Sequence, residues 1–363
     1  MIILENRELC NGCHACYSGC PKNCIEMEQD REGFLFPKID DSKCNECGIC
    51  QKICPMNKTQ IERMEEVEHP KSFAVTHKNE EIILSSSSGG AFSLFAEYII
   101  NEGGVVFGAR FNENWEVIHD YTETIEGLGA FRLSKNVQSR IGDNYKKVKN
   151  FLLDNKGRIV LFCGCPCQIG CLKSYLQKDY ENLICVDFIC RGVPSPKVFQ
   201  KYNEYREKVS SAKIKEIKFR VKNNDFWQAG YVLYVFANGE RYYKTKKDDL
   251  YKRADAKGLT SRLSCFKCGF KTINRISDLT IADFWGVEYV APEAYDSRGV
   301  SLVLVQSPKG QEIFDRVKSG ANCTEVDFNK VYIRNSMAFR SRPEQKNRNE
   351  FMKHIDKYSI EKL

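Results

Sequence analysis

The sequence predicts a small cysteine-rich module followed by a larger mixed α/β body. Three observations carry that class. Eighteen cysteines occur in 363 residues, and half of them fall before residue 55. A charged stretch, TQIERMEEVEHPK (59–71), closes the cysteine-rich part. From Ser72 onward the pattern changes to apolar runs separated by helix-like segments, the rhythm of an α/β fold.

The elements follow in chain order. Residues 1–58 hold short apolar runs between turns, and 59–71 read as a linker helix or tether ending at Pro70. SFAVTH (72–77) reads as a strand, GGAFSLFAEYII (89–100) as a helix, and VVFGARF (105–111) as the next strand. GRIVLFCG (157–164) and NLICVDFIC (182–190) are apolar runs of the kind found in buried strands, with the helix candidate QIGCLKSYLQK (168–178) between them. IKEIKFRVK (214–222) and GYVLYVFANGERYYK (230–244) alternate, and Asn238-Gly239 marks a hairpin turn. The expected organisation is 1–58, a linker at 59–71, a body whose first part is 72–155 and second part 156–345, and a C-terminal helix or tail at 346–363.

Charge is unevenly placed: residues 1–62 carry a net −3 and the remainder +10. A basic body suits phosphate-bearing ligands or an acidic partner, although a solvated basic surface explains it equally well. No aromatic-basic nucleic-acid motif stands out, so no nucleic-acid partner is expected. No apolar run has signal-peptide or membrane-span length, so a cytoplasmic protein with no membrane span is expected. In a reducing compartment, clustered cysteines point to metal or redox chemistry rather than disulfides.

Two runs carry the strongest signal. Cys10-x2-Cys13-x2-Cys16-x3-Cys20-Pro21 and Cys44-x2-Cys47-x2-Cys50-x3-Cys54-Pro55 both match the bacterial two-cluster ferredoxin spacing, in which the fourth cysteine of each run ligates the other 4Fe-4S cluster. Cys10, Cys13, Cys16 and Cys54 are therefore expected on one cluster, and Cys44, Cys47, Cys50 and Cys20 on the other. Zinc sites use two ligand pairs rather than triplets with a distant fourth. Cys24 has no place in the pattern and reads as a small buried residue.

Nine more cysteines follow, at 163, 165, 167, 171, 185, 190, 265, 268 and 323. Cys265-x2-Cys268 is a half-site that needs two partners. CGCPCQ (163–168) and FICRGVPSP (188–196) both follow predicted buried strands, where α/β folds place their sites. Spacing alone does not choose the partners, and several buried hydrophobic cysteines are an equal reading. SSSSGG (85–90) directly precedes a predicted helix. Such a start is an anion site in principle and an ordinary serine cap by default. Asp278 and Asp283 read either as turn caps or as support for a nearby site. There is no GxGxxG fingerprint, Walker loop or nucleophile elbow, and no catalytic residue is assigned.

The body resembles the beta-subunit family of coenzyme F420 hydrogenases and dehydrogenases. The residues that carry the resemblance are SSSGGAFS (86–93), LSKNVQS (133–139), CGCPCQ, CRGVPSP (190–196), CFKC (265–268) and SDLTIADFWG (277–286). It implies a mixed α/β, flavin-binding body with FAD and one 4Fe-4S cluster, behind a fused two-cluster ferredoxin domain. Carried onto this sequence, it implies body-cluster ligands Cys167, Cys190, Cys265 and Cys268. Cys165 stands where threonine is usual, so the choice among Cys163, Cys165 and Cys167 stays open. It implies flavin contacts at Ser87, Ser88, Gly89, Gly90, Ser134, Lys135 and Gln168. LSKN departs from the commoner GSKY. The implied function is an iron–sulfur flavoprotein oxidoreductase that moves electrons between clusters and a two-electron organic substrate. The implied partners are a redox carrier or partner oxidoreductase and a small-molecule substrate, with a homo-oligomer among the assemblies seen in relatives. The rival expectation is an electron-transfer subunit or adapter with no substrate of its own, serving for example polysaccharide biosynthesis.

Overall fold

The computed structural model describes residues 7–56, 69–154, 157–222, 230–331 and 333–362. Most of the expected linker, residues 57–68, lies outside the described residues.

The N-terminal segment contains a hairpin of β1 (Ile25–Gln29) and β2 (Leu35–Ile39) with two short helices, Ala15–Gly19 and Ile49–Lys52. The body is built on one mixed eight-stranded sheet. Its strands are β3 (Lys71–His77), β4 (Val105–Phe111), β5 (Val117–Thr122), β6 (Val160–Gly164), β7 (Leu183–Phe188), β11 (Leu279–Asp283), β12 (Ser301–Val305) and β13 (Ala321–Val326). Between β7 and β11 the chain forms a separate antiparallel sheet of β8 (Ile214–Val221), β9 (Tyr231–Phe236) and β10 (Arg241–Thr245). The order in the large sheet is β13-β3-β12-β11-β7-β6-β4-β5. β4, β6, β7 and β11 are parallel neighbours, and antiparallel strands flank them on both sides.

The apolar runs sit in the parallel centre because both sheet faces there are covered. Val106, Leu161 and Ile184 point into one core with the helix Ala91–Asn101. Val105, Phe107, Val160, Phe162 and Leu183 point into the other with Tyr145, Val148, Ile169 and Leu172. That alternation is the two-residue period of a strand. The helix Pro166–Leu176 crosses from β6 to the parallel β7, starting with proline at its first position and Cys165 as its cap. The predicted Asn238-Gly239 hairpin is present, with Gly239 at φ +87°.

The cysteine-rich segment is packed onto the body by buried polar contacts. Arg262 is 1% exposed. It donates to Cys10 O at 2.7 Å and Leu35 O at 2.9 Å, and its guanidinium lies over Phe36 at 4.3 Å. Arg348, also fully buried, pairs with Glu32 at 2.5 Å and donates to Ser261 O. Gln138 donates to Asn11 O at 2.8 Å, and Ser174 to Ile53 O at 2.7 Å. Gly33, at φ +87°, lies so close to Lys197 that a Cβ would meet that residue's Cβ at 2.2 Å. A side chain there would push the hairpin off the body.

Candidate functional site

The cysteines gather in three groups. Cys16 neighbours Cys10, Cys13 and Cys54, so the fourth cysteine of the second run joins the first triplet. Cys20 joins Cys44, Cys47 and Cys50 around a small cavity near the β1–β2 hairpin. The fold thus brings Cys54 to the first triplet and Cys20 to the second. Cys165, Cys167, Cys190, Cys265 and Cys268 ring a third cavity, which Cys13 and Gly12 also line. Among the described residues no three His, Cys, Asp or Glu side chains converge on a point as a single ion would require. The thiols instead surround small volumes.

The third group is assembled from strand ends. Cys167 lies in the first turn of the Pro166–Leu176 helix beyond β6, and Cys190 just past β7. Cys265 sits in the 3-10 turn Leu263–Lys267. Gly192, at φ +108°, bends the chain so that its N–H reaches Cys190 Sγ at 3.3 Å, and Val193 N–H reaches Cys265 Sγ at 3.4 Å. Burial pushes the Cys268 thiol up to about 12. It also pushes Cys265 well up. Cys190 is held below the usual thiol range, chiefly through its hydrogen bond with Cys165. Cys265 and Cys268 both neighbour Cys167 and Cys190, and so does Cys165. Cys163 faces away from this group, beside Asp187, and burial raises it to about 12. It lines the adjoining cleft instead.

That cleft has a volume of about 490 Å³ and opens at the carboxyl ends of β6, β7 and β11, where parallel α/β sheets hold ligands. Its walls include Ser87, Ser88 and Gly90 at the start of the Ala91–Asn101 helix, and the Leu133–Ser139 loop. Ser87 Oγ and Ser134 Oγ are 3.1 Å apart, which joins these two predicted segments. Arg132, Lys135, Arg191, Lys246, Lys252, Arg334 and Arg342 line the cleft against Asp255 and Asp283. Lys135 Nζ donates to Arg132 O at 2.5 Å, and burial brings it down to about 7. Cys165 and Cys190 line both the cleft and the third cysteine cavity, so the two spaces share a wall.

Two expected contacts have other work. Gly89 does not reach the cleft wall. A Cβ there would lie 2.3 Å from Val75 O and 2.7 Å from Ser301 N, so the glycine is required where the chain passes between β3 and β12. Gln168 lines the cleft, but its amide is committed to the helix start: Oε1 accepts from Cys165 N–H at 2.8 Å and Nε2 donates to Ser139 Oγ at 2.9 Å. Asp278 is a structural link, accepting from Cys185 N–H at 2.8 Å and Ser307 Oγ at 2.7 Å. Asp283 lines the cleft and pairs with Arg220. Cys24, unassigned in the sequence, lines the second cavity with its Sγ 3.3 Å from Cys20 Sγ. The cationic wall and Arg262 were also missed. Their partners are remote in the chain, and no local pattern marks them.

Residues 157–330 match the family model for the C terminus of the coenzyme F420 hydrogenase/dehydrogenase beta subunit, and residues 9–58 match the 4Fe-4S dicluster domain. No curated protein matches the chain. Among solved structures, a chain of the F420-reducing [NiFe] hydrogenase complex from Methanosarcina barkeri is similar, at 16% identity and a TM-score of 0.51, covering 80% of this chain and 90% of that one. At that identity the likeness speaks to fold, and it agrees with the mixed α/β architecture. Among the described residues no helix is long and apolar enough to cross a membrane. The chain is thus similar to the coenzyme F420 hydrogenase/dehydrogenase beta subunit over residues 157–330 and to a 4Fe-4S dicluster domain over residues 9–58, which makes it an iron–sulfur electron-transfer protein of oxidoreductase type related to that family.

Proposed function

We propose that the protein is a flavin-dependent iron–sulfur oxidoreductase that couples single-electron carriers to a two-electron organic substrate. The observation that carries this reading is the row formed by the three cysteine groups and the cleft. Cys20 and its companions lie outermost, the Cys10 group follows, Cys13 lines the cavity of the Cys167 group, and Cys165 and Cys190 form the wall shared with the cleft.

The residues fit the groups this reading needs. Each cysteine group supplies at least four thiols, the donor set of a 4Fe-4S cluster. Cys10, Cys13, Cys16 and Cys54 would hold the first, and Cys20, Cys44, Cys47 and Cys50 the second. Cys167, Cys190, Cys265 and Cys268 would hold the third, since Cys265 and Cys268 both neighbour Cys167 and Cys190. The cleft lies within the roughly 300–1,000 Å³ range of cofactor sites. Its helix start and cationic wall suit the phosphates of FAD, with Ser87, Ser88, Gly90, Ser134 and Lys135 the residues that would hold them.

When bound, clusters carry electrons singly and a flavin exchanges one or two, which matches one-electron donors to hydride chemistry. This chain's residues do the rest. Arg262 and Arg348 hold the outer groups against the inner one. Gln168 fixes the helix start that presents Cys167. Lys135 and its neighbours supply positive charge against an anionic cofactor.

The test is composition with turnover on one anaerobic preparation. Three four-thiol sites require about twelve irons and matching sulfide per chain, with flavin near one per chain and reduction of a small-molecule acceptor. Full iron and flavin without any small-molecule turnover would favour the adapter reading. Absence of flavin with a free cleft would overturn the proposal.

A further inference from the structure

Twelve cysteines are taken up by the three groups, and among the buried thiols left over, two lie against a ligand of an N-terminal group. We propose that Cys24 and Cys171 are S–H donors to the ligand thiolates of Cys20 and Cys13, and so raise the reduction potentials of the two N-terminal clusters. The inference rests on the ligand sets proposed above.

Cys24 is 4% exposed, and its Sγ stands 3.3 Å from Cys20 Sγ. Its backbone carbonyl accepts from Asp40 N–H at 2.8 Å, which fixes it at the mouth of the β1–β2 hairpin facing the second cavity. Cys171 is fully buried, four residues after Cys167 on the Pro166–Leu176 helix. It lies one turn further along the face that carries Cys167. Around it are Ala15, Ile169 and Leu172, and Cys13 packs against the same apolar cluster. The two thiols are therefore close enough to interact.

The chemistry fixes the direction of both bonds. A thiolate bound to iron has lone pairs to accept with and no proton to give, whereas a free thiol has one S–H. Cys24 and Cys171 must therefore donate. Hydrogen bonds to cluster sulfurs are among the factors that set potential. Reduction adds negative charge to the cluster, so a donor aimed at a ligand sulfur stabilises the reduced form more than the oxidised one. Two ordinary buried cysteines would fill the same space, but alanine would then replace them with no change in potential.

The experiment uses the full chain, reconstituted anaerobically, as wild type, Cys24→Ala, Cys24→Ser, Cys171→Ala and Cys171→Ser. Iron and sulfide are measured first, then each N-terminal cluster is titrated by EPR-monitored potentiometry. The expected result is about twelve irons in every variant. Each alanine variant lowers the potential of its own cluster by a tenfold or greater shift in the one-electron constant, 59 mV per tenfold, and each serine variant recovers most of it. Unchanged potentials at full iron would overturn the proposal. Loss of about four irons from a variant would make that cysteine a ligand rather than a donor, and would overturn it equally. A wild type far short of twelve irons would instead sink the ligand sets beneath it. If an alanine variant does not fold, infrared spectra of wild type and serine variant decide. An S–H stretching band that shifts on cluster reduction, and vanishes in the serine variant, supports the donor role; its absence from wild type refutes it.

Discussion

Replacing Arg262 with methionine should loosen the cysteine-rich segment from the body while leaving the ligand sets intact. The magnitude follows from the contacts. Two buried carbonyls, Cys10 O and Leu35 O, lose their donors at 2.7 and 2.9 Å. Each orphaned buried acceptor costs about 1–3 kcal/mol. The guanidinium over Phe36 at 4.3 Å and Phe34 at 5.2 Å adds about 0.5–2 kcal/mol. Methionine refills most of the volume, and Gln138 keeps its bond to Asn11 O. The net loss is about 3–6 kcal/mol, nearly all of it at the junction.

The assay is anaerobic guanidinium unfolding of Arg262→Met and wild type, followed by two signals. Trp115, Trp227 and Trp285 all lie beyond residue 58 and report the body. EPR of the reduced N-terminal clusters reports the segment. The two transitions should coincide in wild type, and in the variant the EPR transition should move to lower denaturant. Flavin reduction by way of the N-terminal clusters should slow in parallel, with iron unchanged. Coincident, unshifted transitions would refute the claim that this buried arginine holds the two parts together.

Three further outcomes follow from the same geometry. Cys167→Ser should remove about four of twelve irons because a hydroxyl is a harder ligand than thiolate, while Cys165→Ser should keep them; iron analysis decides, and the reverse result would exchange their roles. Gly89→Ala should destabilise the body by about 3 kcal/mol or more, since its Cβ would meet Val75 O and Ser301 N; a normal thermal melt would show that the strands can part there. Lys135 sits at about 7 in the ligand-free protein, so between pH 7 and its unfolded value of 10.5 the folded chain binds fewer protons than the unfolded one. Stability from this group therefore rises with pH across that window, whereas an anion needs the ammonium. Binding of pyrophosphate to the flavin-free protein should weaken as pH rises above 7, with proton uptake in calorimetry, and Lys135→Met should flatten that dependence.

Much of the fold and part of the site were legible because they are written locally. Ligand spacing in Cys10–Cys20 and Cys44–Cys54 depends on a few consecutive residues, and the interleaving follows from the motif itself. The runs around Val160 and Leu183 read as strands because burial on both faces leaves no polar alternation. What escaped is written between distant positions. Arg262 meets Cys10 across 252 residues, and Arg348 meets Glu32 across 316. A lone arginine in a sequence carries no mark of such a partner. The family resemblance implies a flavin contact at Gly89, but its backbone neighbours come from β3 and β12 and only the folded sheet shows them. Cys171 could be placed on the helix face of Cys167 from spacing alone; that Cys13 packs there could not.

On the proposed function, the Pro166–Leu176 helix would join the separate sites into one route. Gln168 at its start lines the cleft, Cys167 belongs to the inner cysteine group, Cys171 meets Cys13 of the next group, and Ser174 donates to Ile53 O beside Cys54. From Cys165 to Ser174 an α-helix rises about 14 Å. Cleft, inner group and outer domain are therefore ranged along one short rigid element, itself clamped between β6 and β7 by the crossover. The stretch at 59–71 ties the two parts together in sequence, but the distance between their redox sites is set by this helix and by the buried arginines that press the outer groups onto it. A cysteine-rich segment joined only by a tether would have to find the body anew for each electron. Packed on this helix, it presents the Cys10 group to the Cys167 group in a fixed geometry, as stepwise electron transfer requires.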